Sequence, residues 1–280
     1  MSLPADLAPV PVPGPVRGTA PRPRRFGRVN WIGVWALYRR DVWRVIKRYR
    51  ETFVGVAVSA LLFLVAFGLA GGNVAMPGGV SLTQFLVPGL AMTAIAQQAF
   101  STGAVSLIYD KMEGMIADPL MAPLTTAERA IAYAAASTTA GLIGGAAVLA
   151  VLTPLSPLPV TRPAVSLFFA LAGGLLHGLL GLIAGVVSVK WDHFAAWLGL
   201  VVIPISFLSG AFYPIGNLPA IGQAVVSWNP VFYAIDGFRY GFTGISEGSP
   251  LLGAAIVLAI DAALFVVVYR LFASGYKLKA

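Results

Sequence analysis

FLSGAFYPIGNLPAIGQAVVSWNPVFYAIDGFRYGF, residues 207–242, decides how the rest of the chain is read. It opens apolar, then fills with Pro, Gly, Tyr and Trp, and holds Asp236 and Arg239 before the chain turns apolar again near Leu251. It is too polar to cross a bilayer and too apolar for a solvent loop. Residues 218–228 can form about three helical turns, roughly 16 Å at 1.5 Å per residue. Asn229-Pro230 then forces a break, because proline restricts the residue before it. Residues 231–242 make a second piece of similar length. Two half-length helices joined at a break describe a re-entrant hairpin that enters and leaves on one side. Such backbone survives at membrane depth only when buried in protein or lining a wet cavity. Asp236 and Arg239, three apart on a helix, are placed to partner each other. Tyr213, Trp228, Phe232, Tyr233 and Tyr240 suit an interfacial belt. Together with Asn229, Pro230 and Phe238 this set is the candidate outer gate, and an external loop resting on lipid headgroups is the other reading.

Around this stretch the chain is oily. Of 280 residues, 58% are hydrophobic and 11% charged, against about 25% charged in soluble domains. That composition predicts an all-α integral membrane protein. Apolar segments fall near 52–70, 83–108, 129–152, 164–189, 194–212 and 250–272, each near the roughly 20 helical residues a hydrocarbon core needs. The third opens with a capping box, Thr125-x-x-Glu128. Gly174 with Gly178, and Gly181 with Gly185, repeat at the spacing that lets helix backbones approach. Packing within the chain and a subunit interface both fit that spacing.

Charge orients the spans. Residues 1–50 hold eleven basic residues, against Asp6 and Asp41 alone. With an inside N-terminus, seventeen Lys and Arg lie inside and only Arg162 and Arg239 outside. The positive-inside rule therefore expects six spans with both termini cytoplasmic, in a plasma (inner) membrane. Residues 1–28 are rich in Pro and Arg and read as a disordered tail with no signal-peptide h-region, leaving 29–280 as the membrane domain. Residues 30–50 read as an amphipathic helix lying among anionic headgroups, with Arg40, Arg44, Lys47 and Arg48 on a face apart from its aromatic residues. No base-reading motif accompanies the charge, so no nucleic-acid partner is expected.

An amphipathic helix, six spans and a half-penetrating hairpin resemble the type-2 permeases of ATP-binding-cassette (ABC) exporters. "FLSGAFYPIGNLP", "NPVFYAIDGFRYG" at 229–241, "QFLVPGLAM" at 84–92 and "KMEGMIADPLMAPLT" at 111–125 are similar to the family's signature stretches. The resemblance implies two permease chains with two separate ATPase subunits, which would carry the ATP and Mg. It also implies docking of the ATPase on the stretch between spans two and three, here roughly 109–128, with help from the N-terminal helix. Glu113, Gly114, Ile116, Pro123 and Leu124 are the expected coupling contact. The residues agree independently: no G-x-x-x-x-G-K-[ST] loop exists to cradle phosphates. The three methionines of this stretch suit a moving partner.

Two midspan polar residues stand outside the resemblance. His177 and Asp261 fall near the middle of spans four and six, where Asp costs about 2.5–3.5 kcal/mol on insertion scales. Asp261 is expected to pair with His177, to meet a polar cargo group, or to bond a neighbouring hydroxyl or carbonyl. Gln97, Gln98, Ser101, Thr102 and Ser106 either line a pathway or bond neighbouring helices. Without Cys, paired carboxylates or a nucleophile–base set, no enzymatic centre, metal site or cofactor on this chain is expected. The leading expectation is an exporter subunit for an amphiphile, drug-like molecule or polysaccharide. The alternative is an ion-coupled transporter or channel that titrates Asp261.

Overall fold

The computed structural model describes residues 27–70 and 76–278. The Pro/Arg-rich tail lies outside these apart from Gly27 and Arg28. Among the described residues the fold is helical with no strand. Helix α1 (Trp31–Lys47) runs through a π-turn (Arg50–Val54) into α2 (Gly55–Ala70), and the two axes meet at 77°. A long α3 (Leu82–Met112) is followed by the short α4 (Ala117–Met121), then α5 (Thr126–Leu152) and α6 (Pro163–Val187). The next apolar segment is broken into α7 (Trp191–Trp197), a π-turn (Leu198–Val202) and α8 (Ile203–Phe207). Then come α9 (Ala220–Trp228), α10 (Pro230–Thr243) and α11 (Pro250–Ser274).

Among the described residues three helices, α5, α6 and α11, are long and apolar enough to cross a membrane unaided, and a fourth is reached only where the bent α1–α2 pair is counted as one span. The remaining expected spans differ for physical reasons. At 31 residues α3 is about 46 Å long, ample for a bilayer. It lowers its own hydropathy with Thr93, Gln97, Gln98, Ser101 and Thr102. The α7–α8 segment carries Pro204, and its helix is interrupted by the π-turn.

Helix starts are fixed by side chains. Ser81 with Gln84 closes a capping box on α3, and Thr125 with Glu128 does so on α5. Prolines at the first helical position open α6, α10 and α11, where a missing N–H costs nothing.

The core is a seam of α3 against α5 and α6, and small residues set its closeness. A methyl on Gly181 would sit 2.2 Å from the Phe100 carbonyl oxygen, one on Gly185 would sit 2.8 Å from that of Ala104, and one on Gly103 would sit 2.6 Å from that of Gly178. Gly178 meets Ser137, and Gly174 meets Ile95 and Thr138. The glycine spacing read from the sequence therefore serves packing within the chain.

A candidate coupling face and a candidate pathway

At the α1 end of the bundle, three segments are locked together by one carboxylate. Glu128 accepts from the Thr125 amide (2.7 Å) and from the Asn30 amide (2.6 Å). It thereby serves the N-termini of both α5 and α1. Asn30 in turn caps α1 by accepting from Gly33 (3.0 Å), while its amide group donates to the Pro123 carbonyl (2.9 Å). The two backbone donors hold the Glu128 carboxyl below the usual carboxylate range.

A second lock is ionic. Asp110, fully buried near the end of α3, accepts from Arg40 Nη2 (2.8 Å) and Arg44 Nη2 (3.0 Å). Buried Asp41 takes Arg40 Nε at 3.0 Å. The basic face of α1 thus turns toward the bundle at Arg40 and Arg44, because two buried carboxylates on α1 and α3 need cations. Trp31, Trp35 and Trp43 point outward instead. A third tie caps α6: Lys111 Nζ donates to the carbonyls of Gly185 (2.7 Å), Val186 (2.9 Å) and Ser188. Burial, with help from nearby Lys277, pushes the Lys111 ammonium down to about 8.

The expected coupling residues separate on this face. Glu113, Gly114 and Pro123 are exposed, and Gly114 has a φ of +70° with open space around it. Ile116 is half-buried and Leu124 buried, both packing inward beside Leu37. Met112, Met115 and Met121 supply the exposed apolar surface. Between α1 and residues 118–124 runs a groove of about 370 Å³, with Ile32, Gly33 and Ala36 on one wall and Asp118, Pro119 and Pro123 on the other.

At the opposite end of α3, Arg239 is the hub. Its guanidinium is buried, lies 3.7 Å from the Phe85 ring centroid, and donates to the carbonyls of Gly210 (2.9 Å), Ala211 (3.4 Å) and Phe85 (3.3 Å). Gly89 lets the Ala211 carbonyl approach, since a methyl there would lie 2.3 Å from that oxygen. Asp236 does not bond Arg239. It accepts instead from the amides of Glu247 (2.9 Å) and Gly248 (3.1 Å) and from the Ser246 hydroxyl (2.6 Å). Glu247 accepts from the Ile215 amide (2.9 Å), and burial pushes its carboxyl up against the pull of Arg239.

The break between α9 and α10 falls at Asn229 as the sequence predicts. Its side-chain oxygen accepts from the Val231 amide (3.0 Å), and its amide group donates to the carbonyls of Ile205 (2.9 Å) and Leu208 (3.2 Å). The two pieces are unequal. Helix α10 is almost wholly buried, with Phe232, Phe238 and Arg239 inside. Helix α9 lies on the surface, with Ile221 81% and Trp228 89% exposed. Pro230 is half-buried; Tyr213 and Tyr233, also half-buried, donate to the Phe207 and Ser227 carbonyls, and Tyr240 stacks under Arg162.

One face of α3 is left loosely covered by α2 and α8. Near its middle is a cavity of about 400 Å³ walled by Phe63, Phe207 and Phe212 with Thr93 and Gln97. The Phe212 ring stacks with Phe67 and Phe207 and tilts against Phe63. Toward α1 lies a smaller cavity of about 240 Å³ lined by Gln98, Ser101, Thr102 and Ser106 together with Arg44. The polar residues of α3 singled out in the sequence therefore all reach one of these two spaces.

The midspan pair stays apart. His177 Nδ1 bonds the Gly173 carbonyl (2.8 Å) of its own helix, and both oxygens of buried Asp261 lack a hydrogen-bond partner. Asp261 is thus bonded neither to His177 nor to a neighbouring hydroxyl.

Residues 33–243 match the family described as ABC-2 type transporter. The chain belongs to that family. It is accordingly a transport permease component. It is 27% identical over 251 residues to the inner membrane transport permease YadH of Escherichia coli K12, covering 89% of this chain and 98% of that protein. It is 30% identical over 223 residues to nodulation protein J of Rhizobium leguminosarum bv. trifolii, covering 76% of this chain and 81% of that protein. The matched region takes in most of the candidate coupling face, both cavities and α10, but not Asn30, Ile32, Glu247 or Asp261.

Sequence reasoning missed Asp110, Glu247 and the second role of Glu128. A signal for Asp110 existed: Arg40 and Arg44, four apart on a helix beside the bundle, need an acid, and Asp110 ends the longest helix. Nothing local marks Glu247.

Proposed function

We propose that the chain is the membrane-spanning subunit of an ABC exporter in an inner membrane, working as two copies with two separate ATPase subunits. In this reading the chain crosses six times with both termini in the cytoplasm, and α1 lies in the cytoplasmic headgroup layer. The ATPase seats in the groove between α1 and residues 118–124. One observation carries the reading: the Glu128–Asn30–Pro123 clamp ties the groove's two walls to the start of α5, while Asp110 ties α1 to α3. A push on the groove is therefore delivered to helices rather than absorbed by a loop. The α9–α10 hairpin closes the far end of a pathway formed between the two copies, held there by Asn229 and Arg239.

Co-purification from native membranes should recover an ATPase subunit with the chain, and Pro123→Glu should abolish ATP-driven transport while the chain still accumulates. Unchanged coupled transport in that variant would sink the reading. A second reading is favoured by Asp261, whose buried carboxyl has no partner: an ion-coupled transporter would run on a proton gradient without an ATPase and lose transport in Asp261→Asn.

A further inference from the structure

The two cavities along α3 form a single head-and-tail arrangement. The larger is centred near Thr93 and Ala94 and the smaller near Ser101 and Thr102. Eight residues of helix separate them by about 12 Å. The residues lining them, Leu90, Thr93, Gln97, Ser101 and Val105, recur every three or four positions, so both cavities open on the same face of α3. The larger has phenylalanine walls. The smaller has hydroxyls, Arg44 and Arg48, and the buried carboxylate of Asp41.

Arg44 has a donor left over. Arg44 Nη2 is taken by Asp110, but Nη1 is buried with no hydrogen-bond partner. Its nearest acid, Asp41 Oδ1, stands 3.7 Å away and is held by Arg40 at 3.0 Å. Arg48 also lines the space and is engaged elsewhere. A guanidinium N–H in a recess gains most from a charged oxygen acceptor. The pairing of Arg40 and Arg44 with Asp41 and Asp110 already balances the local carboxylates, so an oxyanion meets no uncompensated negative charge.

We infer that the smaller cavity binds the oxyanion head, a phosphate or a similar group, of an amphiphile whose chain lies along α3 into the phenylalanine-walled cavity. This rests on the export reading and names the cargo class for it. In the proposed orientation the head sits level with α1 in the cytoplasmic leaflet. That is where an amphiphile made inside the cell would be collected.

The test uses the purified full chain in nanodiscs of neutral lipid, without an ATPase, and dodecyl phosphate as the probe. Binding is read by native mass spectrometry. Arg44→Gln should weaken it about tenfold, the loss expected for one hydrogen bond to a charged group. Because Arg44 also holds Asp110, Ser101→Asp serves as the second variant. It leaves that ion pair intact, should weaken dodecyl phosphate about as much, and should spare dodecyltrimethylammonium. Phe63→Ala should weaken both probes. Inorganic phosphate should fail to displace dodecyl phosphate at equal concentration; displacement would mean a free-anion site and would overturn the proposal. So would unchanged dodecyl phosphate binding in both Arg44→Gln and Ser101→Asp. Head-selective binding together with failure of ATP-driven export would support the site and reject the export reading, so the two fail separately.

Discussion

The two sides of α3 are built on opposite principles. Toward α5 and α6 it is sealed, with backbone carbonyls facing glycines at distances that leave no space for a methyl group. Toward α2 and α8 it is open, with two cavities and aromatic rings that touch edges and faces. The sealed side makes a rigid half, because close-packed interiors transmit strain rather than absorb it. The open side is where a helix can move without breaking a packed core. A permease needs both, and α3 supplies one on each flank.

The strongest way to break this contrast is to put the same bulk on both sides. Gly181→Ala would place a methyl 2.2 Å from the Phe100 carbonyl oxygen and should destabilise the fold by about 3 kcal/mol, at the top of the overpacking range. Gly55→Ala, on the open side with nothing within 4 Å, should be neutral or stabilising by about 0.5–1 kcal/mol. Unfolding of the purified variants by titrated detergent measures both. Equal losses would erase the distinction.

Next in size is the Arg239 hub at the opposite end of α3. Arg239→Met removes donors from the Phe85, Gly210 and Ala211 carbonyls and strands Glu247. A loss of about 2–3 kcal/mol is expected by the same detergent titration, from buried acceptors left unpaired. A smaller loss would mean that the turn at 210–211 holds itself.

These two ends were unequally legible. The Asn229-Pro230 break, the capping box at Thr125 and the glycine spacing of α6 could be read because each is a local rule: proline sterics, a four-residue hydrogen-bond pattern, a helical repeat. The partners of Asp236 and Arg239 could not. Their spacing suggested a mutual pair, yet each bonds backbone far away in sequence, Asp236 in the 246–248 turn and Arg239 on α3 and at 210–211. Helical spacing says which side chains can meet, whereas orphaned carbonyls made by tertiary folding decide which ones do. The inequality of α9 and α10 was hidden for the same reason. Both pieces carry similar apolar residues, and only the notch left between α6, α3 and α11 selects which one is buried.

On the open side the expected effects are on transport more than on stability. Phe212→Ala removes a half-buried ring stacked on Phe67 and Phe207. It should cost about 2 kcal/mol, the scale of two or three weak aromatic pairs, while changing the transport rate several-fold. A large stability loss with normal transport would place Phe212 in the scaffold and move the boundary between the two halves.

The smallest effect concerns the clamp at the α1 end, and it is a matter of pH. The Glu128 carboxylate is stabilised by the Thr125 and Asn30 amides, so its pKa is lower in the folded chain than in the unfolded one. Its contribution is fully present above the ordinary glutamate value of about 4.3 and drains away as pH falls below it toward the depressed folded value. Protonation puts an O–H where an amide donor points, so one of the two helix starts loses its acceptor. Glu128→Gln makes that loss permanent, since an amide offers one acceptor oxygen where the carboxylate offers two. The variant's thermal midpoint should therefore lie slightly below wild type at pH 7 and approach it as both are acidified. A gap that stayed constant from pH 7 to pH 3 would show that the carboxylate's charge contributes nothing to joining α1 to α5. The groove would then be held by the Asn30–Pro123 hydrogen bond and by the pairing of Arg40 and Arg44 with Asp110.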